Sequence, residues 1–103
     1  MPQNSNTQII GSLQFFGFYY NGKFFVPKSN MQCICCYNIH NTETEIIMPE
    51  FDIQVTSNTI YNALHEAARQ MSELWDEYAM DEDEHLTRDA IELKQKLLDI
   101  FGE

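Results

Sequence analysis

The chain is poor in positive charge, in glycine and in cysteine, and each shortage removes a class of function. Six Lys and Arg residues face sixteen Asp and Glu, leaving a net charge of −10. A surface of that sign repels phosphates, so direct binding of DNA or RNA is disfavoured and a basic protein partner is favoured. Only four glycines occur, and none lies between Gly22 and Gly102. The acidic run Asp81-Glu82-Asp83-Glu84 therefore lacks the central glycine of a calcium-binding EF-hand loop. No phosphate-binding loop and no catalytic signature is present. Three cysteines, Cys33, Cys35 and Cys36, form an odd, clustered set. Such a set is no framework for a disulfide-stapled secreted domain, and a reducing cytoplasm is the expected setting. The longest apolar stretch, Ile9 to Tyr20, is interrupted by Ser12 and Gln14 and is too short to span a bilayer. Met1 to Asn6 has neither a basic region nor an apolar run, so no signal peptide is expected.

What is present suffices for one modest core: 103 residues, 44% hydrophobic and 13% aromatic. The charge is uneven. Up to residue 58 there are two basic and four acidic residues; from 59 onward there are four basic and twelve acidic. Residues 1–7 read as a polar flexible arm. Asn21-Gly22, between Phe15-Phe16-Gly17-Phe18-Tyr19-Tyr20 and Lys23-Phe24-Phe25-Val26, is a hairpin signal, because a type I′ turn needs positive φ at both central residues. A two-residue turn pairs Tyr20 with Lys23, Tyr19 with Phe24 and Phe18 with Phe25, placing aromatic side chains on both faces. Further strands are expected over Met31–Ile39, from Glu45 to Met48, and over Phe51–Val55, where Phe51, Ile53 and Val55 alternate with Asp52 and Gln54. Thr56-Ser57-Asn58-Thr59 then supplies helix-capping residues.

After that cap, Ile60, Leu64, Ala67, Met71, Leu74 and Tyr78 make one apolar stripe, widened by Trp75. Leu86, Ala90, Leu93, Leu97 and Ile100 make a second, broadened by Ile91, Leu98 and Phe101, and Gly102 is a natural stop. Two such helices joined by a polar link usually form an antiparallel hairpin. The pattern leaves open whether Asp81–Glu84 is a break or a kink, and in a second helix's first turn these acids would suit its macrodipole. The expected fold class is α+β. A small antiparallel sheet of three or four strands over residues 8–56, including the Asn-Gly hairpin, is packed by a helical hairpin over 57–102, all in a single domain.

Candidate chemistry is sparse. Cys33 and Cys36 have Cys-x-x-Cys spacing with His40 nearby, and His65 or His85 could add a ligand. Zinc, however, wants two spaced pairs and only one exists, so buried apolar-like thiols are the simpler reading. A cysteine–histidine nucleophile needs an electropositive setting that this chain does not offer. The aromatic hairpin lacks the flanking cations of a base-stacking platform. Glu66, Glu73 and Glu77 fall on one helical stripe with Asp76 beside it, continued by Asp81 to Glu84. This stripe reads either as a solvated helix face or as a row of charges imitating nucleic-acid phosphates.

Met48-Pro49-Glu50-Phe51, then Thr56-Ser57-Asn58-Thr59-Ile60, then Ala63-Leu64 and Ala67, resemble the strand end, cap and Ala-rich helix of HicB-type antitoxins. That resemblance covers about residues 48–84 and implies a small sheet with helices that neutralises a toxin. Tyr78-Ala79-Met80-Asp81 entering an acidic helical tail is similar to a DNA-mimicking inhibitor among the small phage-encoded anti-CRISPR proteins. The resulting expectation is a non-enzymatic interaction protein without cofactor, catalytic residue or metal ligand. Its contacts would be Glu66, Glu73, Asp76, Glu77, Asp81, Glu82, Asp83 and Glu84 against a basic surface that normally faces nucleic acid. A second, apolar surface is Phe16, Phe18, Tyr19, Tyr20, Phe24 and Phe25, the one an antitoxin-like or dimerising adaptor would use, with a homodimer among the candidate partners. A small Cys/His metal-binding protein is the third alternative.

Overall fold

A computed structural model describes residues 7–102, with side chains from Ile10 onward. Its architecture is α+β, in two compact units: Met1–Phe15 with Gln32–Ala67, and Phe16–Met31 with Ala68–Glu103. Of the expected arm, residues 1–6 lie outside the described residues, and Thr7 already opens a strand.

The first unit is a four-stranded antiparallel sheet in the order β1-β4-β5-β6. Its strands are β1 (Thr7–Gln14), β4 (Gln32–Asn38), β5 (Glu43–Met48) and β6 (Ile53–Ser57), with β2 and β3 reserved for the second unit. Period-two alternation sets the faces: Thr44, Ile46 and Met48 are buried along β5, and Ile53 and Val55 along β6. Register pairs Cys35 with Ile46 and Ile46 with Val55, one apolar row across three strands. On the solvent side Gln54 donates to the Glu45 carboxylate. The last strand begins two residues later than its alternation suggests. Pro49–Phe51 forms a 3-10 turn, closed by Asp52 in the left-handed region at φ 54°. Proline has no N–H for a ladder, so the chain turns there, yet Phe51 remains buried. Thr59 caps helix α1 (Ile60–Leu74) by accepting from the Asn62 N–H. Residues 60–67 of that helix belong to the first unit and 68–74 to the second.

The second unit is built on the hairpin β2 (Phe18–Tyr20) and β3 (Lys23–Phe25), a two-stranded sheet of its own and no part of the larger one. Its register is the one expected from Asn21-Gly22, both with positive φ, 52° and 78°. The apolar stretch from Ile9 to Tyr20 is not one strand because Gly17 breaks it. At φ 141° that residue passes so close to the returning chain that a Cβ would stand 2.1 Å from the Phe25 carbonyl oxygen. Only glycine fits there.

Phe18 is the hub of this unit. Its ring stacks on Phe25 at 5.2 Å, meets Phe101 edge-on at 5.0 Å and lies 5.9 Å from Trp75. Trp75 opens a π-helical turn, Trp75–Ala79, in which the Met80 N–H reaches back to the Trp75 carbonyl. The chain then breaks. Asp83–His85 is a 3-10 turn, and α2 (Arg88–Phe101) starts only after Thr87, whose hydroxyl accepts from the Ala90 N–H. Asp81–Glu84 is thus a link between two helices, outside the first turn of α2, where Asp89 stands instead. Lys94 meets this link while Phe101 meets the ring that Trp75 touches, so α2 runs back antiparallel.

The buried line of the first helix is rotated slightly from the stripe read in the sequence. Ala63, Ala67, Met71 and Trp75 are the buried line of the first helix and its π turn, whereas Ile60 is 39% exposed and Leu64, Leu74 and Tyr78 are half-buried. Ala67, Met71 and Trp75 hold the places the sequence assigns them, but close packing selects Ala63 over the larger Ile60 and Leu64. In α2 only Leu97 and Phe101 are fully buried.

Candidate functional site

Of the eight carboxylates expected to face a partner, the seven from Glu73 onward belong to the second unit, and helical geometry brings three of them together. Glu73, Asp76 and Glu77 are spaced by three and four residues, so they neighbour one another on one helical face. With Tyr20 and Ser72 they line an open groove of about 480 Å³. Tyr20 reaches it because it stands at the turn end of β2, and its hydroxyl donates to Asp76 at 2.6 Å. That hydrogen bond, with some desolvation and the neighbouring negative charge, holds the Tyr20 phenol above its ordinary pKa of 10.0. Tyr20 thus sits against the acidic face, with Phe18 in the core below, although both were read as parts of an apolar interface. Phe25, half-buried, packs 4.7 Å from Trp75 and belongs with them.

The remaining acids divide by what already holds them. Glu73 pairs with Arg69 one turn earlier on the helix. Asp81 accepts from the Glu82 N–H at 2.8 Å and lies 3.0 Å from His85 Nδ1. His85 foremost, then that backbone hydrogen bond, lowers the Asp81 carboxyl below its ordinary 3.8. Lys94 donates to the Asp83 carboxylate at 2.8 Å and to the Asp81 carbonyl at 2.6 Å. Asp81 and Asp83 therefore fasten the link to α2. Glu77, Glu82 and Glu84 are exposed, and their carboxylates make no hydrogen bond or ion pair among the described residues. Glu66 lies half-buried on the part of α1 that belongs to the first unit. Nothing in the sequence singles out Lys94 or Ser72. The lysine is visible only through its place four residues past the Ala90 step of the α2 stripe.

The aromatic hairpin sorts into two faces. Phe18 and Phe25 point inward, whereas Tyr19 is 68% exposed and Phe24 41% exposed, their rings 4.7 Å apart. Phe16 and Val26 are exposed as well.

The cysteines are a core feature. All three are free and buried in β4. Burial, reinforced by Cys35, pushes the Cys33 thiol up to about 11, and Cys35 and Cys36 are raised as well, first by burial. Nucleophilic thiolate is therefore scarce at neutral pH. Among the described residues no group of three or more His, Cys, Asp or Glu side chains is placed to hold a metal ion. No helix among them is long and apolar enough to cross a membrane.

Comparison with protein-family models, curated proteins and solved structures finds no match.

Proposed function

We propose that this chain is a non-enzymatic interaction protein whose acidic helical face binds and blocks a basic, nucleic-acid-facing surface of a protein partner. A phage-type inhibitor of a host defence nuclease, acting as a nucleic-acid mimic, is the class this describes. The observation that carries the reading is the groove in which Glu73, Asp76 and Glu77 converge beside Tyr20. Three carboxylates on one helical turn offer acceptors to arginine and lysine side chains, which make strong charge-assisted hydrogen bonds to such groups. The Glu82 and Glu84 carboxylates, unpaired among the described residues, extend the same charge along the link. Asp81 and Asp83 hold that link in place and contribute field more than contact. Long-range attraction from a chain of net charge −10 would steer the encounter with a basic surface, and the groove would set the register.

The test is competition. The chain is used to capture a partner from host lysate, the partner is purified, and its complex is challenged with duplex DNA and with RNA. Displacement by nucleic acid, together with loss of binding in a Glu73→Gln, Glu77→Gln double variant, is the expected result. Simultaneous binding of nucleic acid and chain to the partner would refute the reading.

A further inference from the structure

The link between the two helices has no apolar anchor of its own. Asp83–His85 buries no residue, and every side chain from Glu82 to His85 is exposed. Its local backbone bonds run from the His85 N–H to the Glu82 carbonyl and from the Leu86 N–H to the Asp83 carbonyl, both at 3.0 Å. A single 3-10 turn of this kind is weakly bonded and does not fix its own position. A side chain of α2 does so. The Lys94 side chain is only 18% exposed, and its ammonium reaches the link twice, donating to the Asp81 carbonyl at 2.6 Å and to the Asp83 carboxylate at 2.8 Å. Among the described residues no other hydrogen bond or ion pair joins Asp81–His85 to α2.

Charge gives this contact its interest. Where an acidic face attracts a basic partner, each lysine or arginine of the chain opposes the attraction at long range. Lys94 is one of only six such residues, yet its charge is turned toward the link. Glu82 and Glu84 flank the Asp83 that it holds. We propose that Lys94 is a positioning residue of the partner-binding face, bracing the link so that the Glu82 and Glu84 carboxylates stand ready for a basic surface. A loose link would have to be ordered on binding, which lowers affinity, and Lys94 does that ordering beforehand. The proposal rests on the reading of the acidic face as the binding surface, and it adds a cation whose removal weakens binding.

Lys94→Met keeps an unbranched stem and removes the ammonium. Its control is Arg88→Gln, because Arg88 is exposed at the start of α2 and has no side-chain partner among the described residues. Each change removes one positive charge, taking the net charge from −10 to −11, so charge alone predicts equal tightening. Affinity for the captured partner should instead fall about threefold or more in Lys94→Met and hold or rise in Arg88→Gln. A double-mutant cycle gives the second readout. Glu82→Gln with Glu84→Gln should weaken the native chain about threefold or more but change Lys94→Met by less than about twofold, since the carboxylates are no longer held in place. In the free chain the His85 and Leu86 amides should exchange about tenfold faster in Lys94→Met, while the Tyr20 phenol stays raised and reports an intact groove. Should Lys94→Met fail to fold, Asp83→Asn, at a side chain 67% exposed, takes its place in the cycle and in the exchange measurement. Three results overturn the inference: Lys94→Met binding as tightly as Arg88→Gln, equal losses from Glu82 and Glu84 in both backgrounds, or unchanged link amides. If Glu73→Gln, Glu77→Gln loses binding and Lys94→Met does not, this inference alone falls. If neither loses binding, the functional reading falls with it.

Discussion

Replacing Phe18 by alanine should remove most of the stability of the second unit. The ring is 1% exposed and touches three other aromatic rings at centroid distances of 5.2, 5.9 and 5.0 Å. Core Phe→Ala changes cost about 3–5 kcal/mol, of which each well-placed ring pair accounts for about 0.5–1.5. With three ring partners and almost no exposure, Phe18→Ala belongs near the middle of that range, at about 4 kcal/mol. Tyr19, its neighbour in sequence, is the control. It is 68% exposed and has one ring partner, Phe24, so Tyr19→Ala should cost about 1 kcal/mol or less. A domain of this size has a total stability of about 5–15 kcal/mol, so the first change consumes a large share and the second hardly registers. Urea denaturation followed by tryptophan fluorescence suits the comparison, because the single tryptophan, Trp75, lies against Phe18 itself. A Phe18→Ala cost below about 1.5 kcal/mol, or one no larger than that of Tyr19→Ala, would refute the assignment of hairpin faces.

Three further outcomes are expected. Gly17→Ala should destabilise by more than about 2 kcal/mol and Gly22→Ala by about 1, because both have positive φ but only the first would drive a Cβ into backbone; equal losses in denaturation would contradict this. One tyrosine should titrate above pH 10 in ultraviolet absorbance and return to the ordinary range in Asp76→Asn, since Asp76 holds the Tyr20 phenol up. The folded state favours the protonated phenol, so that contribution to stability is present below pH 10 and is lost as pH rises through the folded value. The thiols should be almost unreactive toward an aromatic disulfide reagent at pH 8 while the chain is folded, with all three reacting on unfolding, and a fast-reacting thiol in the native chain would contradict their burial.

Local signals carried far into this fold. Asn21-Gly22 announced both the turn and the pairing of Phe18 with Phe25, because backbone geometry at a type I′ turn leaves few residue choices. Thr59 announced the start of the first helix for a similar reason. What escaped the sequence depended on distant partners. Nothing local shows that Gly17 must let two chains touch, so Ile9 to Tyr20 read as one stretch where there are two sheets. Ala63 carries too little hydrophobic area to outvote Ile60 and Leu64, yet it is the residue buried beside Ala67. The site shows the same division. Spacing put Glu73 and Glu77 on one stripe with Asp76 beside it, but Tyr20 lies 56 residues from the carboxylate it binds. Lys94 is 11 residues from Asp83, and no periodicity reveals either contact. The acidic run looked uniform in sequence and divides in space into Asp81 and Asp83, which hold the link, and Glu82 and Glu84, which face solvent.

The central claim is that charge on this helical face makes the contact, and the salt dependence of partner affinity tests it most directly. Affinity of the captured partner is measured for the native chain and for the Glu73→Gln, Glu77→Gln variant between about 50 mM and 500 mM salt, a range over which screening shortens severalfold in reach. The account requires an affinity that falls steadily with salt in the native chain. It requires a weaker affinity and a shallower fall in the variant. An affinity flat across that range, or a variant indistinguishable from the native chain, would contradict it.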